Sequence, residues 1–127
     1  MKTVLRENTW LKSNTQIIDD LAMFDHGWGN GYIVIPKGHE LYMMGYDEIH
    51  DTYDISVHGG LTYSELVTRE KKVLFGLEDN DINSWIIGFD TCHCDDTSAL
   101  DKQWVQDETD SLLEQCNNLV EHDDEDY

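Results

Sequence analysis

Two periodicities organise the apolar residues of this chain. From Asp54 to Tyr63, Ile55 and Val57 alternate with Ser56 and His58, Gly59 and Gly60 interrupt the alternation, and Leu61 and Tyr63 resume it. A period of two marks a half-buried strand, so the stretch predicts a strand, a glycine bend and a second strand. Trp85 to Asp90 is short, almost wholly apolar and rich in isoleucine and aromatics. That composition suits a strand covered on both faces and predicts the central strand, paired with the first run.

The other periodicity is helical. Val105, Thr109, Leu112, Cys116 and Leu119 follow one another at intervals of four and three, and Trp104, Leu113 and Val120 widen the stripe. A helix beginning near Ser98 and running about five turns is expected to pack on the sheet. Its other face carries Asp107, Glu108, Asp110, Glu114 and Glu121.

The remaining segments give weaker signals. Ile17, Ile18, Leu21 and Phe24 have helical spacing behind Ser13 and Asn14, either of which can cap, so a short helix is expected over Asn14 to Phe24. Gly27, Gly29 and Gly31 alternate with Trp28 and Asn30. They read as a turn held by Trp28, since they lack the spacing and the Lys-Ser/Thr end of a phosphate-binding loop. Tyr32 to Pro36 reads as a strand, and His39 to Ile49 as a short helix or an irregular crossing. Ser64 to Leu77 reads as a strand extended by Leu66, Val67, Val73 and Phe75, with Arg69 to Lys72 at an exposed turn or edge. Glu78 to Asp81 reads as a turn. Together these elements predict an α+β fold, a small mostly antiparallel β-sheet packed by a long C-terminal helix, in a hairpin or meander order.

Length and charge narrow the picture. The 127 residues fit one domain, placed at 1–121, and the acidic stretch 122–127 has too little to bury and reads as a disordered tail. The net charge is −19, from 27 acidic and 8 basic residues. It argues against direct binding to nucleic acid or an anionic membrane, and it favours a basic protein partner. Homo-oligomerisation stays open. Three cysteines, two of them at Cys92 and Cys94, do not suggest a disulfide framework, and the expected compartment is the reducing cytoplasm. Neither an apolar leader nor an 18-residue apolar window is present.

Two constellations could carry function. His39, His58, Asp90, Cys92, His93, Cys94 and Asp95 are metal-binding residue types. Adjacent side chains in an extended segment point apart, however, and no familiar ligand spacing is present, so no cofactor or metal is expected. If a metal is bound, His58, Cys92, His93 and Cys94 are its candidate ligands. The same residues permit a hydrolase acting on a nucleotide or signalling molecule, with His58 as base, Asp90 orienting it or His93, and Thr62 or Ser64 nearby. His26, His50 and His122 read as surface residues. The second constellation is the acidic array: Asp107, Glu108, Asp110 and Glu114 on the helix, with Asp123, Asp124, Glu125 and Asp126 in the tail. Such an array can imitate the phosphates of a nucleic acid in a basic groove, though a merely solvated acidic surface is the plain alternative.

The blocks GWGNGY from Gly27, VHGGLTYS from Val57 and GFDTCH from Gly88 resemble recurring blocks of small uncharacterised proteins of bacteriophages and their hosts. The resemblance spans Gly27 to His93 and implies a phage origin and a place in the host bacterial cytoplasm; it carries over no catalytic residue. By size, charge and setting the chain is similar to anti-CRISPR proteins. That similarity implies an inhibitor of bacterial defence that blocks the nucleic-acid site of a basic host protein such as a CRISPR effector.

Overall fold

The two apolar runs that end at Ile35 and Phe89 lie side by side in the middle of a four-stranded sheet. The computed structural model describes residues 1–7, 27–91 and 99–121. Its elements are β1 (Lys2–Glu7), β2 (Gly29–Ile35), α1 (Tyr46–Thr52), β3 (Tyr63–Leu66), α2 (Arg69–Leu74), β4 (Trp85–Phe89) and α3 (Lys102–Asn117). The sheet is antiparallel throughout, in the order β1-β2-β4-β3. The fold class is α+β, as the sequence predicts.

Both interior strands are covered on both faces. Ile33, Ile35, Ile87 and Phe89 point to one side, where Val105, Leu112 and Cys116 of α3 meet them together with Leu41, Ile49, Ile55, Val57 and Leu61. Tyr32, Val34 and Ile86 point to the other side and pack on Val67, Phe75 and Leu77. Ile86 and Ile87 are consecutive and both fully buried, which explains a run with no polar alternation.

Four expectations need correction. First, the segment from Asp54 to Leu61 is not a strand of the sheet; only Tyr63–Leu66 pairs with β4. Its alternation is real, since Ile55, Val57 and Leu61 are buried, but it forms a strap over the core next to α3. Second, the expected strand over Ser64 to Leu77 ends at Leu66. The Thr68 hydroxyl accepts from Lys71 N–H (3.2 Å) and starts α2. Gly76, at φ +64°, stops the helix, and Leu77 N–H returns to Lys72 O. Third, Gly29 and Gly31 belong to β2 rather than to a turn. A Cβ at Gly31 would lie 2.0 Å from Thr109 Oγ1 and 2.6 Å from the Phe89 ring, so the glycine lets α3 cross β2 closely. Fourth, α3 starts later than Ser98, at Lys102, with the Asp101 carboxylate accepting from Trp104 N–H (2.9 Å).

β1 went unread because its only apolar residues, Val4 and Leu5, are adjacent. They serve opposite faces of the sheet, Leu5 the α3 side and Val4 the other. The ambiguous stretch after Pro36 resolves into turns followed by α1, and the expected turn at Glu78 to Asp81 is a single 3₁₀ turn. There Glu78 N–H donates to Asp81, whose carboxylate also pairs with the Lys2 ammonium of β1 (2.5 Å). Burial alone would raise the Asp81 pKa, but the Lys2 hydrogen bond, the Glu78 amide and the Lys2 charge outweigh it and hold the pKa below its usual value. A depressed carboxyl pKa stabilises the fold above the unfolded value, and the contribution is lost as pH falls through the carboxylate range. Lys2→Met is therefore expected to lower stability at pH 7 and to have less effect at pH values where Asp81 is protonated. Urea melts across that range check it, and a loss independent of pH would show that the pair contributes nothing through charge.

The expected Asn14 to Phe24 helix and the 122–127 tail lie outside the described residues. Among the described residues no helix is long and apolar enough to cross a membrane.

Candidate functional site

α3 separates the residues proposed for contact into two kinds. Val105, Thr109, Leu112 and Cys116 face the sheet and are buried, as their spacing predicts. Asp107, Asp110 and Glu114 are exposed on the outer side. Asp107 accepts from Gln103 Nε2 (2.9 Å) and Asp110 from Gln106 Nε2 (2.8 Å), neutral donors one turn back that orient the carboxylates without cancelling their charge.

Glu108 differs. It is half-buried, and its Oε2 accepts from His58 N–H (2.7 Å), which fastens the strap to the helix. Gln115 does the same two turns on, accepting from Ser56 N–H (2.7 Å) and donating to Ser56 O (2.8 Å). Asp54 N–H donates to Val120 O, and Tyr53 bridges Glu121. Side chains of α3 thus replace the neighbouring strand that the alternation suggests. The strap's far end is held by α1, where His50 Nε2 accepts from Leu61 N–H (2.8 Å). His50 is accordingly structural rather than a plain surface residue, and its proton sits on Nδ1. His50→Ala leaves a buried amide without its acceptor and is expected to cost about 2 kcal/mol. Chemical denaturation measures this, and a change within about 0.5 kcal/mol would show that water replaces the imidazole.

Among the described residues, those of the catalytic alternative have different partners. The His58 ring meets Trp104 edge to face at 5.0 Å between centroids, with its backbone tied to Glu108. Asp90 Oδ2 accepts from the Thr62 hydroxyl (2.9 Å), and the Ser64 hydroxyl accepts from Tyr46 N–H (3.1 Å). His39 is committed as well: Nδ1 accepts from Leu41 N–H and Nε2 donates to Cys116 O, each at 3.1 Å. Burial pushes the Cys116 thiol up to about 12, which leaves it protonated and unreactive at neutral pH. Cys92, His93, Cys94 and Asp95 lie outside the described residues, as do Asp123, Asp124, Glu125 and Asp126. Among the described residues no group of three or more His, Cys, Asp or Glu is placed to hold a metal.

The basic residues complete the electrostatics. Lys2 pairs with Asp81, Lys71 with Glu65 (2.8 Å) and Lys72 with Asp79, all away from α3. Arg6 lies over the Phe75 ring (5.4 Å) and Lys102 over Trp28 (5.7 Å). Among the described residues, no lysine or arginine forms a salt bridge with Asp107, Asp110 or Glu114. No protein-family model, curated protein or solved structure matches the chain.

Proposed function

We propose that this chain is an acidic inhibitor that binds a basic, nucleic-acid-handling protein and blocks its nucleic-acid site. The bacterial-defence setting, with a CRISPR effector as the model target, comes from the resemblance to phage proteins. One observation carries the reading: Lys2, Lys71 and Lys72 pair with acids outside α3 and Arg6 and Lys102 lie over aromatic rings, while among the described residues Asp107, Asp110 and Glu114 on the outer face of α3 have no cation paired to them. Asp107, Asp110 and Glu114 rise along the helix in steps of roughly 4.5 and 6 Å, a sparser row of like charge than the roughly 3.4 Å of axis per phosphate on one DNA strand. Attraction of this kind acts over about 10 Å at 0.1 M salt and competes directly with nucleic acid for a basic groove.

The structure refines the test. Glu108 holds the strap, so the variant that isolates charge is Asp107→Asn, Asp110→Asn and Glu114→Gln together, with Glu108 retained. Partners captured from infected bacterial cells at low salt should bind this variant about tenfold more weakly and with a flatter salt dependence. Duplex DNA should displace the native protein. Unchanged affinity in the triple variant, with an unchanged melting curve, would overturn the reading.

A further inference from the structure

A cavity of about 360 Å³ opens where α3 ends. Gly38, His39 and Glu40, on the turn after β2, form one wall, and residues 116–119 form the other. Three features give it one electrostatic sign. The last turn of α3 directs its carbonyl end here, equivalent to about half a negative charge. The Glu40 carboxylate is exposed and lines the cavity. No lysine or arginine is among the lining residues.

The walls are also fixed in place. His39 spans the gap, accepting from Leu41 N–H and donating to Cys116 O, and so ties the turn to the helix end. The Tyr53 hydroxyl donates to Glu40 Oε2 (3.3 Å), which orients the carboxylate while Oε1 is not used by that bond. Burial raises the Tyr53 pKa, and the charge and hydrogen bond of Glu40 and the charge of Glu121 raise it further, so the hydroxyl keeps the proton it donates to Glu40. Asn118 caps the helix by donating from its backbone and side chain to Glu114 O.

We propose that this cavity is a receptor for a guanidinium group, the arginine side chain of a basic partner. The proposal rests on the basic-partner reading and adds to it a single specific anchor beside the diffuse charge of α3. The size lies at the small end for ligand pockets and suits one side chain. A planar fork of N–H donors can meet a carboxylate and backbone carbonyls together, which a point-like ammonium does less well. A lone carboxylate with carbonyls is too few hard donors for a bare divalent cation.

The probe is N-acetyl-arginine amide, titrated into the isotopically labelled full chain, with the neutral isostere N-acetyl-citrulline amide as control. Saturable shifts are expected at the amides of Gly38, His39, Glu40 and residues 117–119, with the citrulline compound binding at least about fivefold more weakly. Glu40→Gln should weaken binding by about fivefold, since its side chain still accepts from Tyr53 but loses the charge. Glu70→Gln, an exposed acid on α2 with the same change in net charge, should change it by less than about twofold. Equal losses in the two variants, equal binding of the citrulline compound, or shifts concentrated on α3 at Asp107, Asp110 and Glu114 would overturn the proposal. An oligo-arginine peptide separates the two readings. If the α3 triple variant loses the peptide while Glu40→Gln does not, the docking face stands and the cavity fails. Loss in Glu40→Gln alone would instead overturn the docking face.

Discussion

Gly31→Ala is expected to destabilise the protein by about 3 kcal/mol. The added Cβ would sit 2.0 Å from Thr109 Oγ1 and 2.6 Å from the Phe89 ring, and neither neighbour is a flexible surface group. Thr109 and Phe89 are both essentially inaccessible to solvent, and the Thr109 hydroxyl donates to Val105 O (2.6 Å). Relief therefore requires α3 to move off β2, which opens the interface that buries Val105 and Leu112. The urea midpoint should fall without a change in slope. Thr109→Ala removes the nearest obstacle while leaving Val105 O free to take its helical bond. The double variant Gly31→Ala/Thr109→Ala should then lose less than the sum of the two single losses. A Gly31→Ala variant within about 0.5 kcal/mol of the native protein would mean that α3 does not cross the sheet at this residue.

That glycine also shows where sequence reading stops. The stripe on α3 and the buried run of β4 are legible because each residue's environment repeats with the element's own period. Close approach of two elements leaves no such signature, and Gly31 looks the same whether it turns the chain or admits a helix. The strap was legible in burial but not in pairing. Ile55, Val57 and Leu61 alternate because one side meets the core, and alternation cannot say whether the backbone groups bond a strand or a side chain. Gln115 and Glu108 supply those bonds from 50 to 59 residues away. α2 carried a readable signal in Thr68 and Gly76, but Val67, Val73 and Phe75 favoured a strand, and no residue of the helix itself is buried to give a stripe. Within the candidate face, exposure of Asp107, Asp110 and Glu114 followed from the helix period. The different role of Glu108 did not, because it depends on a distant amide meeting its carboxylate.

Glu108 therefore has two separable properties, a charge and a latch, and substitutions can divide them. Glu108→Gln keeps an oxygen able to accept from His58 N–H and is expected to change stability by less than about 1 kcal/mol. Glu108→Ala leaves the amide without its acceptor and is expected to cost about 2 kcal/mol, although alanine is the better helix former. Gln115→Ala removes both bonds to Ser56 and should cost about as much. The two latches hold one short segment, so once either is gone the strap opens further and the other has less to hold. The double alanine variant should accordingly lose about 1 kcal/mol less than the sum of the single losses. Native-state hydrogen exchange provides the decisive readout, with the Ser56 and His58 amides accelerating together in each alanine variant while Ile33 and Ile87, deep in the sheet, stay protected. Strict additivity, with each variant accelerating only its own amide, would show that the strap is held point by point and does not open as a unit.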